Sequence, residues 1–193
     1  MSTVGQRERA TQDRVVKLFR EQLGYRYLGN WEERPDNSNI VEVDLRRFLN
    51  RQGYGDTLIN KALHELKKVA GDQSKSLYDI NKAVYGLLRY GVQVKAEAGE
   101  NTQTVWLIDW KDALDNDFAI AEEVTVKGEH TKRPDVVLYV NGIALGVLEF
   151  KRSIVSVSEG IRQNLGNQRR DFIQPFFTTV QLIMAGNDTE GLR

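Results

Sequence analysis

Apolar positions along this chain follow two rhythms. Near the N-terminus they recur at helical spacing. Val15, Leu18, Phe19 and Leu23 form a stripe that predicts a helix from about residue 7 to 23, ended by Gly24. A turn-rich segment with aromatics, "LGYRYLGNWEERPDNSN", follows. Helical spacing returns from about residue 44 to 91. Asp44 is placed to cap "LRRFLNRQ", which stops at Gly53. Asp56 is placed to cap "TLINKALHELKKVA", whose Leu58, Ile59, Ala62, Leu63 and Leu66 share a face. Ser76 and Asp79 make a capping box ahead of "LYDINKAVYGLLRY", closed by Gly91. Three capped helices in a row predict an inserted helical subdomain over about 44–91.

The second rhythm is that of strands. "VQVKAEA" and "TQTVWLIDW" flank Gly99-Glu100-Asn101 as a hairpin, and "DNDFAIAEEVTVKG" supplies another strand. "RPDVVLYVNGIALGVLEFKRS", residues 133–153, reads as two apolar strands around an Asn-Gly turn. "VSEGIRQNLGNQRRDFI" then predicts a helix with Ile161, Leu165 and Phe172 on one side, and "TTVQLIMAG" a last strand. A strand–helix–strand crossover from 144–151 to 179–185 makes those two strands parallel. The expected fold class is α/β: a central mixed sheet flanked by helices.

Composition narrows the function. With 27 basic and 27 acidic residues the net charge is zero, so binding to nucleic acid would rest on local patches rather than on a global field. There are no cysteines, which excludes disulfides and thiolate metal sites. The polar N-terminus is no signal peptide and no apolar run suits a membrane span, so the expectation is a soluble, cytoplasmic chain without a membrane partner. No G-x-x-x-x-G-K-[ST] loop for ATP is present. The end, a buried-type strand and a turn, suggests the front part of a longer protein.

Chemistry concentrates at residues 133–153. Asp135 begins one apolar strand, and Glu149 and Lys151 end the other. Two converging carboxylates can hold a hard cation such as Mg²⁺. Such a cation acidifies a bound water and neutralises a phosphate oxygen. Lys151 lies on the face of Glu149, because side chains alternate along a strand, and can stabilise the transition state of phosphodiester hydrolysis. Register is the obstacle. A strict two-residue turn at Asn141-Gly142 pairs Val140 with Ile143, sets Asp135 opposite Leu148 and turns Glu149 to the other face. Convergence therefore requires one extra residue, in a three-residue loop or in a bulge near Asp135, where Pro134 favours irregularity. The bland alternative is a set of solvated strand-end charges. Against it, a central strand that is apolar on both faces and ends in unpaired charges is costly.

These residues resemble the PD-(D/E)xK nuclease superfamily. Taken with "LGYRYLGNW", "YGLLRYGVQV", "WLIDW", "EGIRQNLGNQ" and "PFFTTVQLIMAGN", the "RPDxxLxxNGxxLxxxExK" pattern is similar to the N-terminal nuclease domain of the restriction (R) subunit of type I restriction enzymes, over nearly the whole chain. The resemblance implies an endonuclease domain over 1–193 with a restriction-endonuclease-like core. Its substrate is double-stranded DNA and its cofactor Mg²⁺. An ATP-driven motor lies downstream, and specificity and methylation subunits complete the enzyme. It implies metal ligands at Asp135, Glu149 and the Phe150 carbonyl, with Lys151 as the catalytic lysine. The family often adds an acid from the first helix. Glu8, seven residues before Val15, is either that acid, a further metal ligand, or one stabilised by the helix N-terminus. The family also carries a glutamine on the helix after the lysine strand, with a tyrosine four residues on. Gln163 fits and is expected among the catalytic residues, facing the site or the DNA; Asn167 stands where the tyrosine would be and leaves the role of the pair open.

Two other readings stay open: a nuclease fold kept only to dock DNA or subunits, and a repair or junction nuclease of the same superfamily. The intact Asp-Glu-Lys set argues against the first. Lys132, Arg133, Arg152, Arg162, Arg169 and Arg170 flank the site in sequence, as phosphate contacts or as solvated charges. His64 reads as surface, and Asp109, Asp112, Asp115 and Asp117 as turn and cap residues.

Overall fold

The computed structural model describes residues 3–193, with side chains from Glu8 onward. The elements in order are α1 (Thr3–Glu21), β1 (Arg26–Asn30), α2 (Glu42–Arg51), α3 (Asp56–Ala70), α4 (Leu77–Tyr90), β2 (Val92–Val94), β3 (Gln103–Val105), β4 (Phe118–Glu122), β5 (Val136–Val140), β6 (Ile143–Phe150), α5 (Val157–Asn167), β7 (Leu182–Asn187) and β8 (Gly191–Leu192). Short 3-10 turns occupy Ala113–Asp115 and Gln174–Thr178. The main sheet runs β1-β4-β5-β6-β7-β8, and β2-β3 form a separate antiparallel pair. β1 is parallel to β4 and β6 to β7; the other neighbours are antiparallel. The sheet is thus mixed, and the expected crossover from β6 to a parallel β7 is present. Among the described residues no helix is long and apolar enough to cross a membrane.

Each face of the sheet has its own core. Ile120, Val136, Leu138, Leu148 and Phe150 pack with Val16 of α1. On the opposite face Ala119, Ala121, Val137, Tyr139, Ala144 and Val147 pack with Trp31, Ile173, Phe176 and Phe177. A third cluster joins α2, α3 and α4 to the β2–β3 hairpin, and Ile143 of β6 is buried in it. The Asn141-Gly142 turn lies beneath this helical block. Both residues have positive φ (52° and 80°), as a type I′ turn requires. A Cβ on Gly142 would stand 2.6 Å from the Val41 carbonyl oxygen, so only glycine fits there. Asn141 is fully buried. It donates to the Leu107 carbonyl at 2.9 Å and accepts from the Asp117 N–H at 2.7 Å.

Several local expectations are corrected. Asp44 does not cap α2. Val41 precedes that helix, and the buried Asp44 carboxylate instead meets Arg26 at 3.0 Å and Arg47 at 2.9 Å, cations that hold it better than a backbone N–H would. Asp56 is the first helical residue of α3, after Gly55. Ser76 caps α4 as expected, accepting from the Asp79 N–H at 3.1 Å. The inward face of α1 is Val16, flanked by Val15 and Phe19, and continues through the buried polar pair Thr11 and Gln12; Leu18 and Leu23 are exposed. The last strand starts at Leu182 because Pro175 opens a 3-10 turn across the segment before it.

Candidate functional site

The β5–β6 hairpin brings Asp135 and Glu149 together through an irregularity. Its turn is the strict two-residue kind: Val140 pairs with Ile143, and Tyr139 with Ala144. Next along the ladder, however, Leu138 pairs with Gly146, which leaves Leu145 as an extra residue in β6. From there Val137 pairs with Val147 and Val136 with Leu148, so Asp135 falls opposite Glu149 on the same face. The required extra residue exists, but in the middle of β6 rather than beside Asp135. The loss of one ladder pair is tolerated there because the Leu145 carbonyl accepts from the Gln181 N–H at 2.9 Å, and its side chain packs against the third core cluster.

Glu149 is 1% exposed. One carboxylate oxygen accepts from Lys151 Nζ at 2.8 Å; the other, Oε2, is buried with no hydrogen-bond partner. Asp135 is half-buried and its Oδ2 accepts from the Phe150 N–H at 2.6 Å. The Phe150 ring lies on the other face, in the core beneath α1. Lys151 continues the ladder, its N–H donating to the Gly186 carbonyl at 2.8 Å. Glu8 of α1 stands 3.8 Å from Lys151 Nζ, and its charge also acts on Glu149. α5 covers this group closely. A Cβ on Gly160 would meet the Ala185 Cβ at 2.9 Å and the Glu149 Cγ at 3.6 Å, so the helix can approach the carboxylate strand only with glycine there.

Electrostatics follow from this crowding. Burial, and then the Glu149 charge, push the Asp135 carboxyl up to about 8; the Phe150 N–H and Lys151 pull the other way. Glu149 is raised too, first by burial, with Lys151 opposing. Burial lowers the Lys151 ammonium, but Glu149 and Asp135 outweigh it and the net shift is upward. Two carboxylates in one poorly solvated place, one with an unpartnered oxygen, form a group whose charged state needs a cation. Among the described residues no three acid or histidine side chains converge closely enough to cage an ion by themselves. Further ligands would have to come from the backbone, water or substrate.

Other expected residues fall as follows. Gln163 is exposed on α5 near the Glu149 carboxylate, whose charged form it favours, without a normal hydrogen bond to Oε2. Asn167 is buried, so the two do not share an exposed face. The apolar side expected of α5 is corrected: Ile161 and Leu165 are exposed, and Val157, Gly160, Asn164 and Asn167 face inward. Past Val157 the inward positions are a glycine and two amides, which fit the tight approach at Gly160. Arg133 pairs with Glu32 and Glu123, Arg162 with Glu159, and Arg169 with Asp171, while Lys132 Nζ lies 4.4 Å over the Phe172 ring. Among the described residues the Arg152 and Arg170 side chains form no ion pair. His64 is exposed. Asp109 and Asp112 accept backbone N–H bonds within their turn, and Asp117 pairs with Arg26 at 2.5 Å.

One cluster next to the site was not foreseen. Glu122 and Glu123, buried at the end of β4, gather Gln12, Arg9, Arg133 and Tyr27. The signal was present: "FAIAEEV" ends a fully buried strand on two acids, and Gln12 lies one helical turn after Glu8.

The comparisons agree with this picture at the level of family. A family model described as "Type I restriction enzyme R protein N terminus" matches residues 5–193. A putative type I restriction enzyme MjaVIIIP endonuclease subunit of Methanocaldococcus jannaschii is 28% identical over 138 residues, which is 67% of this chain and 13% of that protein. The type I restriction enzyme EcoprrI endonuclease subunit of Escherichia coli is 29% identical over 90 residues, 46% of this chain and 29% of that protein. A putative MjaIXP endonuclease subunit, also of M. jannaschii, is 32% identical over 96 residues, 47% of this chain and 9% of that protein. The chain thus spans less than a third of the length of these relatives. With the family model covering nearly all of it, the chain belongs to the family of type I restriction enzyme R protein N-termini.

Proposed function

We propose that Asp135, Glu149 and Lys151 form the Mg²⁺-dependent site of a PD-(D/E)xK endonuclease that hydrolyses phosphodiester bonds of double-stranded DNA, within the restriction subunit of a type I restriction–modification enzyme. The observation that carries this reading is the cross-strand pair itself. Asp135 and Glu149 face each other, with Lys151 on one Glu149 oxygen and nothing on the buried other. That orphaned oxygen, and an Asp135 carboxyl raised by burial and then by the Glu149 charge, fit a site that takes a cation.

In this reading Asp135, Glu149 and the Phe150 carbonyl hold the ion. Bound there, Mg²⁺ supplies positive charge at the phosphate and acidifies a water. The protein's own groups do the rest. The Phe150 N–H fixes the Asp135 carboxylate. Lys151, kept charged by Glu149, stands where it can donate to the attacking oxygen or to a phosphate oxygen gaining charge. Glu8, 3.8 Å from the Lys151 ammonium, is placed to orient it or to join the ligands of the ion, and Gln163 approaches the Glu149 carboxylate from α5. Among the described arginines flanking the site, Arg152 and Arg170 form no ion pair and are left for DNA phosphates. The relatives are named endonuclease subunits of type I restriction enzymes, and in this reading an ATP-driven motor and specificity and methylation subunits act with the domain.

The test is calorimetric titration of Mn²⁺ into the wild type and into Glu149→Ala. Binding that the substitution abolishes is expected. A folded wild type that takes up no Mn²⁺ would sink the metal-site reading and leave a module that docks without cutting.

A further inference from the structure

We propose that Gln12, acting with Glu122 and Glu123, clamps the main-chain carbonyl of Asp135 and so sets where the Asp135 carboxylate stands. Gln12 is then a positioning residue for the site, and its role rests on the reading of Asp135 as a metal ligand.

Gln12 is 3% exposed on a helix that is otherwise polar at that level. Its Nε2 lies 2.8 Å from Glu122 Oε2, 3.1 Å from Glu123 Oε1 and 3.4 Å from the Asp135 carbonyl oxygen. A primary amide carries two N–H donors, so these three acceptors share them. The Asp135 carbonyl also accepts from the Glu123 N–H at 2.8 Å. That second bond requires an unusual backbone: Glu123 has φ +51°, the left-handed region that a long acidic side chain seldom adopts. Val124 adds a bond from its N–H to the Pro134 carbonyl at 3.0 Å.

The surrounding charges hold the clamp closed. Glu122 accepts from Tyr27 Oη at 2.8 Å and meets Arg9 at 3.2 Å; Glu123 meets Arg9 at 3.1 Å and Arg133 at 2.9 Å. Two buried acids are thereby held in place as acceptors for one amide. Their common neighbour outside the cluster is the backbone of the site residue. Asp135 is consequently held at both ends, by the clamp at its carbonyl and by the Phe150 N–H at its carboxylate. A residue pinned at one end only would be free to swing its carboxylate away from Glu149.

The rival reading is that the cluster only ties α1 to the sheet. Two measurements on the 193-residue chain separate them. The first is hydrogen exchange and the proton resonance of the Phe150 amide, which reports on the Asp135 carboxylate without any metal. The second is Mn²⁺ affinity by calorimetry. Gln12→Leu removes the donors at similar volume, and Gln12→Asn withdraws the amide by one methylene if the first variant folds poorly. Phe19→Leu loosens α1 at its other end as the structural control. The clamp predicts that Phe150 exchanges at least tenfold faster, with its resonance moved upfield, and that Mn²⁺ affinity falls at least tenfold, in either Gln12 variant and not in Phe19→Leu. Unchanged Phe150 protection in the Gln12 variants, or an equal loss in Phe19→Leu, overturns it. Should the wild type bind no Mn²⁺, the metal-site reading fails by itself, and the Phe150 amide still decides the clamp.

Discussion

At the scale of single residues, the carboxylates of the site work against the stability of the metal-free protein. Burial and the Glu149 charge hold Asp135 protonated up to about pH 8, whereas the unfolded chain releases that proton near the ordinary aspartate value of about 4. Across that window the folded state binds more protons, so its stability falls as pH rises. Thermal unfolding in chelator should therefore give a midpoint that drops from pH 5 to 8. Asp135→Asn should flatten that slope and raise the midpoint at pH 8 by a few degrees, the effect of about 1 kcal/mol in a chain of this size. A midpoint indifferent to both would mean Asp135 is ionised throughout. By the same linkage Mn²⁺ must displace a proton, and its affinity should climb between pH 6 and 8. Asp135, Glu149 and Lys151 were legible in the sequence because their chemistry is unusual at the ends of apolar strands. Gln12 was not: a glutamine among polar helix residues reads as surface until the fold buries it against two glutamates.

At the scale of elements, the site depends on counting. The bulge at Leu145 is what turns Glu149 to the face of Asp135. Deleting Leu145 should give a regular hairpin in which Leu138 still pairs with Gly146 and Asp135 still faces Glu149, because only the extra residue is lost. The expected result is a chain that keeps its strand content by circular dichroism and still binds Mn²⁺; lost binding would show that the register past the bulge is set by something other than this count. The need for one extra residue could be read from spacing, because alternation along a strand is strict. Its position could not, since Leu145 is held by Gln181 and by helices far away in sequence. The same limit explains α5. Ile161 and Leu165 recur at helical spacing, yet the closeness of Gly160 to Ala185 chooses the small face instead. Helix existence was legible from periodicity and caps, whereas helix rotation depended on what each helix meets.

At the scale of the whole molecule, charges are balanced and most cations near the site are already paired within the chain. Arg152 and Arg170 are the exceptions among the flanking arginines. Binding of the isolated chain to duplex DNA should consequently be weak and only mildly salt-dependent, with a log–log slope of about −2 for two phosphates. Fluorescence anisotropy across a salt series would measure it, and a slope near −6 would reveal a basic surface other than this one. The fold class and its mixed sheet followed from the order of elements. The way the helical block meets the sheet did not, because the sequence gives no sign that an Asn-Gly turn will be buried. That burial has a mechanical consequence. The hairpin is gripped at its tip by the helical block, through Asn141, Gly142 and Ile143, and carries the carboxylates at its opposite end. Its two strands are a stiff rod of roughly 17 Å, at about 3.3 Å per residue. A push on the block, from whatever lies against it, would act on a lever whose far end holds Asp135 and Glu149.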